Sequence, residues 1–346
     1  MNSKNECKIF TIDIEMESIE NDSFFLNNLK NVCEIKGSFA QNLPITKIIE
    51  FKSNELLISS FKGPIKKGIH KLNSLNNKNK KDFFNFELSV KKEYLFCLSL
   101  KRLDIYKTSN FKLINSIDFS SLSQIKNICG IDNEIIIFTL LGQCDLFIEY
   151  TNYKHSFFTQ KIPNAHSKEI NCLCLIVNRD LLLTGSNDKT IKLWNILNQK
   201  FICSYHGHSL GVICIEMCID QEYFLSGSFD KAIKLWHLDK SECLRTFYGH
   251  ESLITCLHVT KYNNILSLSN DGILKQWDYE SGDNQANFNL KQERITSFTI
   301  LDSGDLITGT QKGNVFKWSN KTSSASRKNQ ILTEQKIKLC KSCSIL

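Results

Sequence analysis

The chain of 346 residues is 42% hydrophobic and 23% charged, a balance that excludes disordered and collagen-like classes and suffices for a large buried core without staples. Its net charge is +7, yet Lys321, Arg327, Lys328, Lys336, Lys338 and Lys341 against Glu334 place +5 of it after residue 320. The remainder is close to neutral and offers no basic face for a phosphate backbone, which argues against a specific nucleic-acid partner.

The opening MNSKNECKIF lacks a basic-then-apolar leader, so the 14 cysteines are expected to remain reduced. No run approaches the roughly 18 apolar residues of a membrane span. Three prolines against 15 glycines and 23 phenylalanines favour short apolar strands joined by tight turns. Residues 1–28 are an N-terminal extension for which two readings stay open, a short strand around Lys8 to Ile14 or packing against one rim. Next, VCEIKGSFAQNLPITKI resembles the later ECLRTFYGHESLITCL, so Val32 to Phe39 is expected to be an outermost strand without inner strands before it. Strand pairs follow around Leu56 to Ser60, Tyr94 to Leu98 and Glu134 to Thr139, and the run Lys78 to Lys81 reads as a solvated loop.

From about residue 166 the pattern becomes periodic, with units at 166–205, 208–247 and 250–288. Trp194, Trp236, Trp277 and Trp318 are all the tryptophans, spaced 42, 41 and 41 residues apart. His166, His208 and His250 repeat at 42 and 42. Asp188, Asp230 and Asp271 each stand six residues before a tryptophan. Cys172, Cys174, Cys214 and Cys256 lie in apolar runs and read as small buried hydrophobes. In the last unit, around Asp305 to Gly309, Lys312 stands at the turn Asp position and no Gly-His precedes it, so its polar set is expected to be missing.

A period of 40 to 45 residues with four short strands per unit is the signature of propeller blades. The motifs AHS, GHS and GHE, then TGSND, SGSFD and SLSND, then IKLW, IKLW and LKQW resemble the WD-repeat β-propeller family. The resemblance implies an all-β fold. Unit starts near Ile45, Phe83, Ser123, Ile170, Val212, Ile254 and Ile295 predict seven blades of four antiparallel strands over residues 29–319, closed by the N-terminal strand. In the first half Tyr106 and Phe147, 41 residues apart, stand in for the blade tryptophan. Within each clear unit the resemblance implies one hydrogen-bonded set: Trp194, Thr184, His166 and Asp188; Trp236, Ser226, His208 and Asp230; Trp277, Ser267, His250 and Asp271. It also implies a partner-binding rim of Asn187, Phe229 and Asn270 with Glu169, Leu210, Leu253 and Arg294. Three equivalent His and Asp copies argue for architecture rather than acid/base catalysis.

Residues 320–346 read as a flexible basic tail. The last four, Cys343, Ser344, Ile345 and Leu346, fit a C-a-a-X box, with Ser344 departing from the aliphatic preference and the terminal Leu favouring geranylgeranyl on Cys343. One lipid chain binds marginally, and Cys340 as a palmitoyl site together with Lys336, Lys338 and Lys341 supplies the second signal. There is no GxxxxGK, GxSxG or HExxH and no paired carboxylate outside the repeated turn, and Cys340 with Cys343 lacks the second pair a zinc site needs. The expectation is a non-enzymatic cytoplasmic interaction scaffold without cofactor, metal or small-molecule substrate, binding proteins or peptides at a rim and held to a membrane by its tail. The alternative is a soluble scaffold or substrate-recognition subunit, for example of a ubiquitin ligase, without the lipid.

Overall fold

The computed structural model describes residues 29–34, 44–52, 55–60, 83–89, 91–99, 102–110, 112–119, 124–131, 135–151, 157–260, 264–290, 293–301 and 304–320. The extension 1–28, the stretch 35–39 and the tail with Cys340 and Cys343 lie outside them.

The strands are β1 (Leu29–Glu34), β2 (Ile45–Lys52), β3 (Glu55–Ser60), β4 (Phe83–Leu88), β5 (Tyr94–Ser99), β6 (Arg102–Lys107), β7 (Lys112–Asp118), β8 (Ile125–Gly130), β9 (Ile135–Leu140), β10 (Leu146–Thr151), β11 (Phe157–Ile162), β12 (Ile170–Ile176) and β13 (Leu181–Ser186). They continue as β14 (Ile191–Asn195), β15 (Lys200–Tyr205), β16 (Val212–Met217), β17 (Tyr223–Ser228), β18 (Ile233–His237), β19 (Cys243–Phe247), β20 (Ile254–Val259), β21 (Ile265–Ser269), β22 (Leu274–Trp277), β23 (Asn284–Phe288), β24 (Ile295–Ile300), β25 (Leu306–Thr310) and β26 (Val315–Asn320). A single 3-10 turn, Val177–Arg179, is the only helical element among the described residues.

Six four-stranded antiparallel sheets form: β4 to β7, β8 to β11, β12 to β15, β16 to β19, β20 to β23, and β24-β25-β26-β1. This corrects the expectation of seven four-stranded blades. Among the described residues the unit beginning at Ile45 contributes the two-stranded sheet β2-β3. In the third unit the innermost strand starts at Ile125, two residues after Ser123.

Consecutive sheets pack face to face around a ring. β2 lies against β24 and β25, β3 against β4, β4 against β8, β8 against β12, β12 against β16, β16 against β20, and β21 against β24. Second strands are sandwiched between neighbouring sheets, and the burial of β13 and β17 is accordingly almost complete. Outer strands such as β15 begin exposed and bury only their far ends.

The seam between sheets explains the glycine in TGS and SGS. A Cβ on Gly227 would stand 2.5 Å from Ile254 Cγ2, and one on Gly185 2.8 Å from Val212 Cγ1. Each glycine therefore makes room for the β-branched residue opening the next innermost strand. Gly309 meets Ile45 in the same way at 2.5 Å, and Thr296 Oγ1 donates to the Ile45 carbonyl at 2.6 Å, so the two-stranded sheet docks as the next member of the ring.

Closure comes from β1, which pairs antiparallel with β26 from Leu29 opposite Asn320 to Glu34 opposite Phe316. The strand lies three residues earlier than Val32, and it covers an edge that would otherwise be open.

The first-half aromatic positions need one correction. Tyr106 lies opposite Leu95 as Trp194 lies opposite Leu182, but Phe147 lies opposite Phe138, and Glu149 opposite Ile136 takes the tryptophan register. The connection before β10 is two residues longer than that before β6 and one longer than in the clear repeats, so the register falls on Glu149, and Phe147 instead stacks on Phe138 at 5.2 Å.

The seam yields a test. Gly227→Ala drives a methyl into Ile254 and should cost about 1 to 3 kcal/mol, lowering the melting temperature in thermal unfolding, whereas Leu268→Ala, at a seam position already filled by a side chain, should read as a cavity loss relieved by no change at Ile295. A melting temperature for Gly227→Ala equal to that of the parent would show that the glycine is not required for close approach.

Candidate functional site

The turns joining second to third strands, such as Asn187 to Thr190, gather at one end of the ring, here termed the rim face. Behind them sit the repeated polar sets. His208 Nε2 lies 2.7 Å from Ser226 Oγ, which accepts from Trp236 Nε1 at 2.8 Å, while His208 Nδ1 lies 2.8 Å from Asp230 Oδ2. The Asp230 carboxylate also accepts from the Ser209 and Ala232 backbone N–H groups at 2.9 and 3.0 Å. His166 stands 2.7 Å from Thr184 and 2.8 Å from Asp188, and Trp194 donates to Thr184 at 2.9 Å. Thr190 adds a hydroxyl bond to Asp188 at 2.6 Å. Each set links the first loop, second strand, turn and third strand of one blade, so it fixes the turn that projects onto the rim.

Burial alone pushes the Asp188 and Asp230 carboxyls up, but the bonds from His166 with Thr190, and from His208, outweigh it and hold both far below the usual carboxylate range. Folded values below unfolded ones contribute stability above about pH 4 that is lost on acidification.

The third set is incomplete. His250 Nε2 meets Ser267 Oγ at 2.6 Å and Trp277 donates to Ser267 at 2.7 Å, but buried His250 Nδ1 has no hydrogen-bond partner. Asp271 turns instead to Ser269 Oγ and to the Ile273 N–H at 3.0 Å. Glu251 stands at the position where Ser167 and Ser209 offer their backbone N–H groups to the carboxylate. The last unit, expected to lack its set, retains half of it: Trp318 donates to Thr308 at 2.9 Å, and Glu293 accepts from Thr310 and Asn314 at 2.6 and 2.7 Å.

Among the rim residues, most polar ones hold each other. Glu169 accepts from the Gly142 N–H at 2.8 Å and pairs with Lys126 at 2.9 Å; burial raises its carboxyl, and these two partners bring it below the ordinary value. Asn171 donates to Asn187 and to the Val212 carbonyl, both at 2.7 Å, and Arg294 donates to Asn270 at 2.6 Å. Phe229 and Leu210 are 42% and 48% exposed, while Leu253 is half-buried. The backbone bonds Asn187 to Glu169, Phe229 to Gly211, Asn270 to Leu253 and Gln311 to Arg294 show that Gly211, not Leu210, holds the place equivalent to Glu169. The same pattern, Leu141 to Gln124, adds Leu141, which is 52% exposed. Its turn, LLGQCD, carries neither a Gly-His nor an Asp at the repeat spacing, so no motif marks it.

Burial pushes the Cys172 and Cys256 thiols up to about 12, which keeps them protonated and poor nucleophiles. Among the described residues no group of three His, Cys, Asp or Glu side chains is arranged to hold a metal.

Three stretches, residues 158–195, 199–237 and 241–278, match the family described as WD domain, G-beta repeat. The crystal structure of the WD40 β-propeller domain of Doa1 superimposes with a TM-score of 0.63 at 19% identity, covering 86% of this chain and 98% of that one. The computationally designed Ika8 protein superimposes with a TM-score of 0.57 at 21% identity, over 70% of this chain and 72% of that one. No curated protein sequence matches the chain. The chain thus contains three WD40 repeats within a propeller fold.

Two outcomes follow from the sets. Asp230→Ala strands His208 and two backbone donors and should cost about 1 to 3 kcal/mol in thermal unfolding, while Asp271→Ala, which breaks no histidine bond, should cost well under half of that. Equal losses would contradict the geometry. Burial, then Lys275, lowers His250 to about 4 against the opposing pull of Asp271. Its folded value lies below the unfolded 6.5, so its contribution is complete above about pH 6.5 and is lost as pH falls toward 4. His250→Asn should flatten the fall in melting temperature between pH 6.5 and 5.

Proposed function

We propose that the protein is a non-catalytic protein-interaction platform that captures a partner at its rim face. The observation that carries the reading is the placement of Leu141, Leu210 and Phe229, exposed apolar side chains on turns pinned from behind by hydrogen bonds. Apolar anchors on rigid supports lose little entropy on binding, and neighbouring amides such as Asn187 and Asn270 supply polar contacts around them.

In the same proposal the C-terminal tail tethers the platform to the cytosolic face of a membrane, through geranylgeranyl on Cys343, palmitoyl on Cys340 and the lysines between and before them. Supporting it is the direction of β26, which runs away from the rim face and ends at Asn320 on the opposite face.

Affinity capture from the native cells tests the reading. Phe229→Ala with Leu141→Ala should lose the specific partners while melting as the parent does, and retention of all partners would remove the rim as the binding surface. The intact mass of the captured protein should include a geranylgeranyl group with loss of Ser344 to Leu346. An unmodified chain ending in Leu346 would favour the soluble scaffold.

A further inference from the structure

The face opposite the rim has two unlike sectors. In the blades from β16 to β23 its turns expose Asp220, Glu222, Asp239, Glu242, Glu280 and Asp283, with Lys240 the one exposed cation among them. In the blade β4 to β7 it exposes Lys91, Lys92, Lys107 and Lys112, with Glu93 the one acid among them. The two turns carrying these lysines are joined: the Thr108 N–H donates to the Glu93 carbonyl at 2.9 Å, and Thr108 Oγ1 donates to the Lys92 carbonyl at 2.8 Å. Lys107 and Lys112 face each other across the β6-β7 hairpin. None of the four makes an ion pair among the described residues. Beside them, at the start of the outer strand β7, Leu113 and Ile114 are 40% and 43% exposed.

Four unpaired ammonium groups held by a rigid double turn, edged by two aliphatic side chains, match a surface that is anionic above and apolar beneath. We propose that this sector docks directly on an anionic lipid bilayer, with the lysines at the headgroups and Leu113 and Ile114 entering the interface. Chain geometry agrees. Leu29 and Asn320, opposite each other in β1 and β26, both lie toward this face. Their blade packs on β2, and β3 packs on β4, so the tail emerges two sheets from the patch. The acidic sector repels the same headgroups, which confines contact to the blade β4 to β7 and turns the rim face away from the bilayer. The proposal rests on the tethering reading only in taking a membrane as the opposing surface, since the patch needs no lipid on Cys343.

The test is vesicle co-sedimentation of the full chain made in bacteria, which lack prenyltransferase, so that the lipid anchor plays no part. Vesicles of phosphatidylcholine alone are compared with phosphatidylcholine containing 30% phosphatidylserine, in about 0.1 and 0.5 M salt. Binding is expected only to the anionic vesicles and to weaken in high salt. Replacing Lys91, Lys92, Lys107 and Lys112 together by Glu should weaken it at least about tenfold. Leu113→Ser with Ile114→Ser should weaken it at unchanged salt dependence. Melting temperatures within a degree or two of the parent keep these variants interpretable, as all six residues are exposed. Lys336→Ala, Lys338→Ala and Lys341→Ala together should have the smaller effect. The proposal is overturned if the four-Glu variant binds within twofold of the parent, if the tail variant alone abolishes binding, or if a 20-base-pair DNA duplex binds the four lysines more tightly than the vesicles do.

Discussion

Face-to-face packing of sheets around a central axis crowds the innermost and second strands far more than the outer ones, and the rest of the molecule follows from how that crowding is met. At the seam a glycine in one sheet receives a β-branched side chain from the next, Gly185 with Val212, Gly227 with Ile254 and Gly309 with Ile45. The contact is dense because both partners sit in extended strands buried on both faces, where one extra methyl has nowhere to go. The periphery has no such restriction, and β15 and β19 therefore begin with exposed residues such as Phe201 and Leu244. Function can be placed on outer strands and turns because stability is concentrated at the seam.

The polar sets solve a second problem created by the same geometry. A turn at the rim presents its backbone to solvent on one side and to the packed sheets on the other, and its inward donors and acceptors need partners. Asp230 accepts two backbone N–H groups while His208 links it to Ser226 and Trp236 in the interior. Where the last unit lacks these residues, other chemistry does similar work: Glu293 accepts from Thr310 and Asn314. The requirement is for a satisfied turn, and the His-Asp pair is one of several ways to meet it.

This explains what could be read from the sequence. The three units with Trp, His and Asp at fixed spacing were legible because their hydrogen-bond partners are specific residue types at specific distances along the chain. The units before them were legible only as apolar pairs, since Asp104 with Ser116 or Phe147 with Phe138 leave no repeated signature. Hence the register of β10 escaped by two residues, and Leu141 went unmarked although its backbone holds the same bond as Phe229. The incomplete third set was hidden for a different reason. His250, Ser267, Asp271 and Trp277 are all present, and only the orientation of the Asp271 carboxylate, toward Ser269 and the Ile273 N–H, separates them from a closed set. Blade count was the weakest inference, because the Ile45 unit has the paired apolar segments of its neighbours yet forms a two-stranded sheet among the described residues.

Opposite ends of the ring carry different physics, and strand direction is what keeps them apart. In every complete blade the first and third strands run from the rim face and the second and fourth run toward it, so a turn between second and third strands always reaches the rim. Leu141, Asn187, Phe229, Asn270 and Gln311 recur there for that reason alone. The hairpins between third and fourth strands always reach the other face, and they hold charge: Lys107 and Lys112 in one blade, Asp239 and Glu242 in another. β1 enters and β26 leaves at that second face because the closing strand must be antiparallel to its neighbour. Leu29 and Asn320 thus lie at the charged face, at the opposite end of their blade from the turn that carries Gln311.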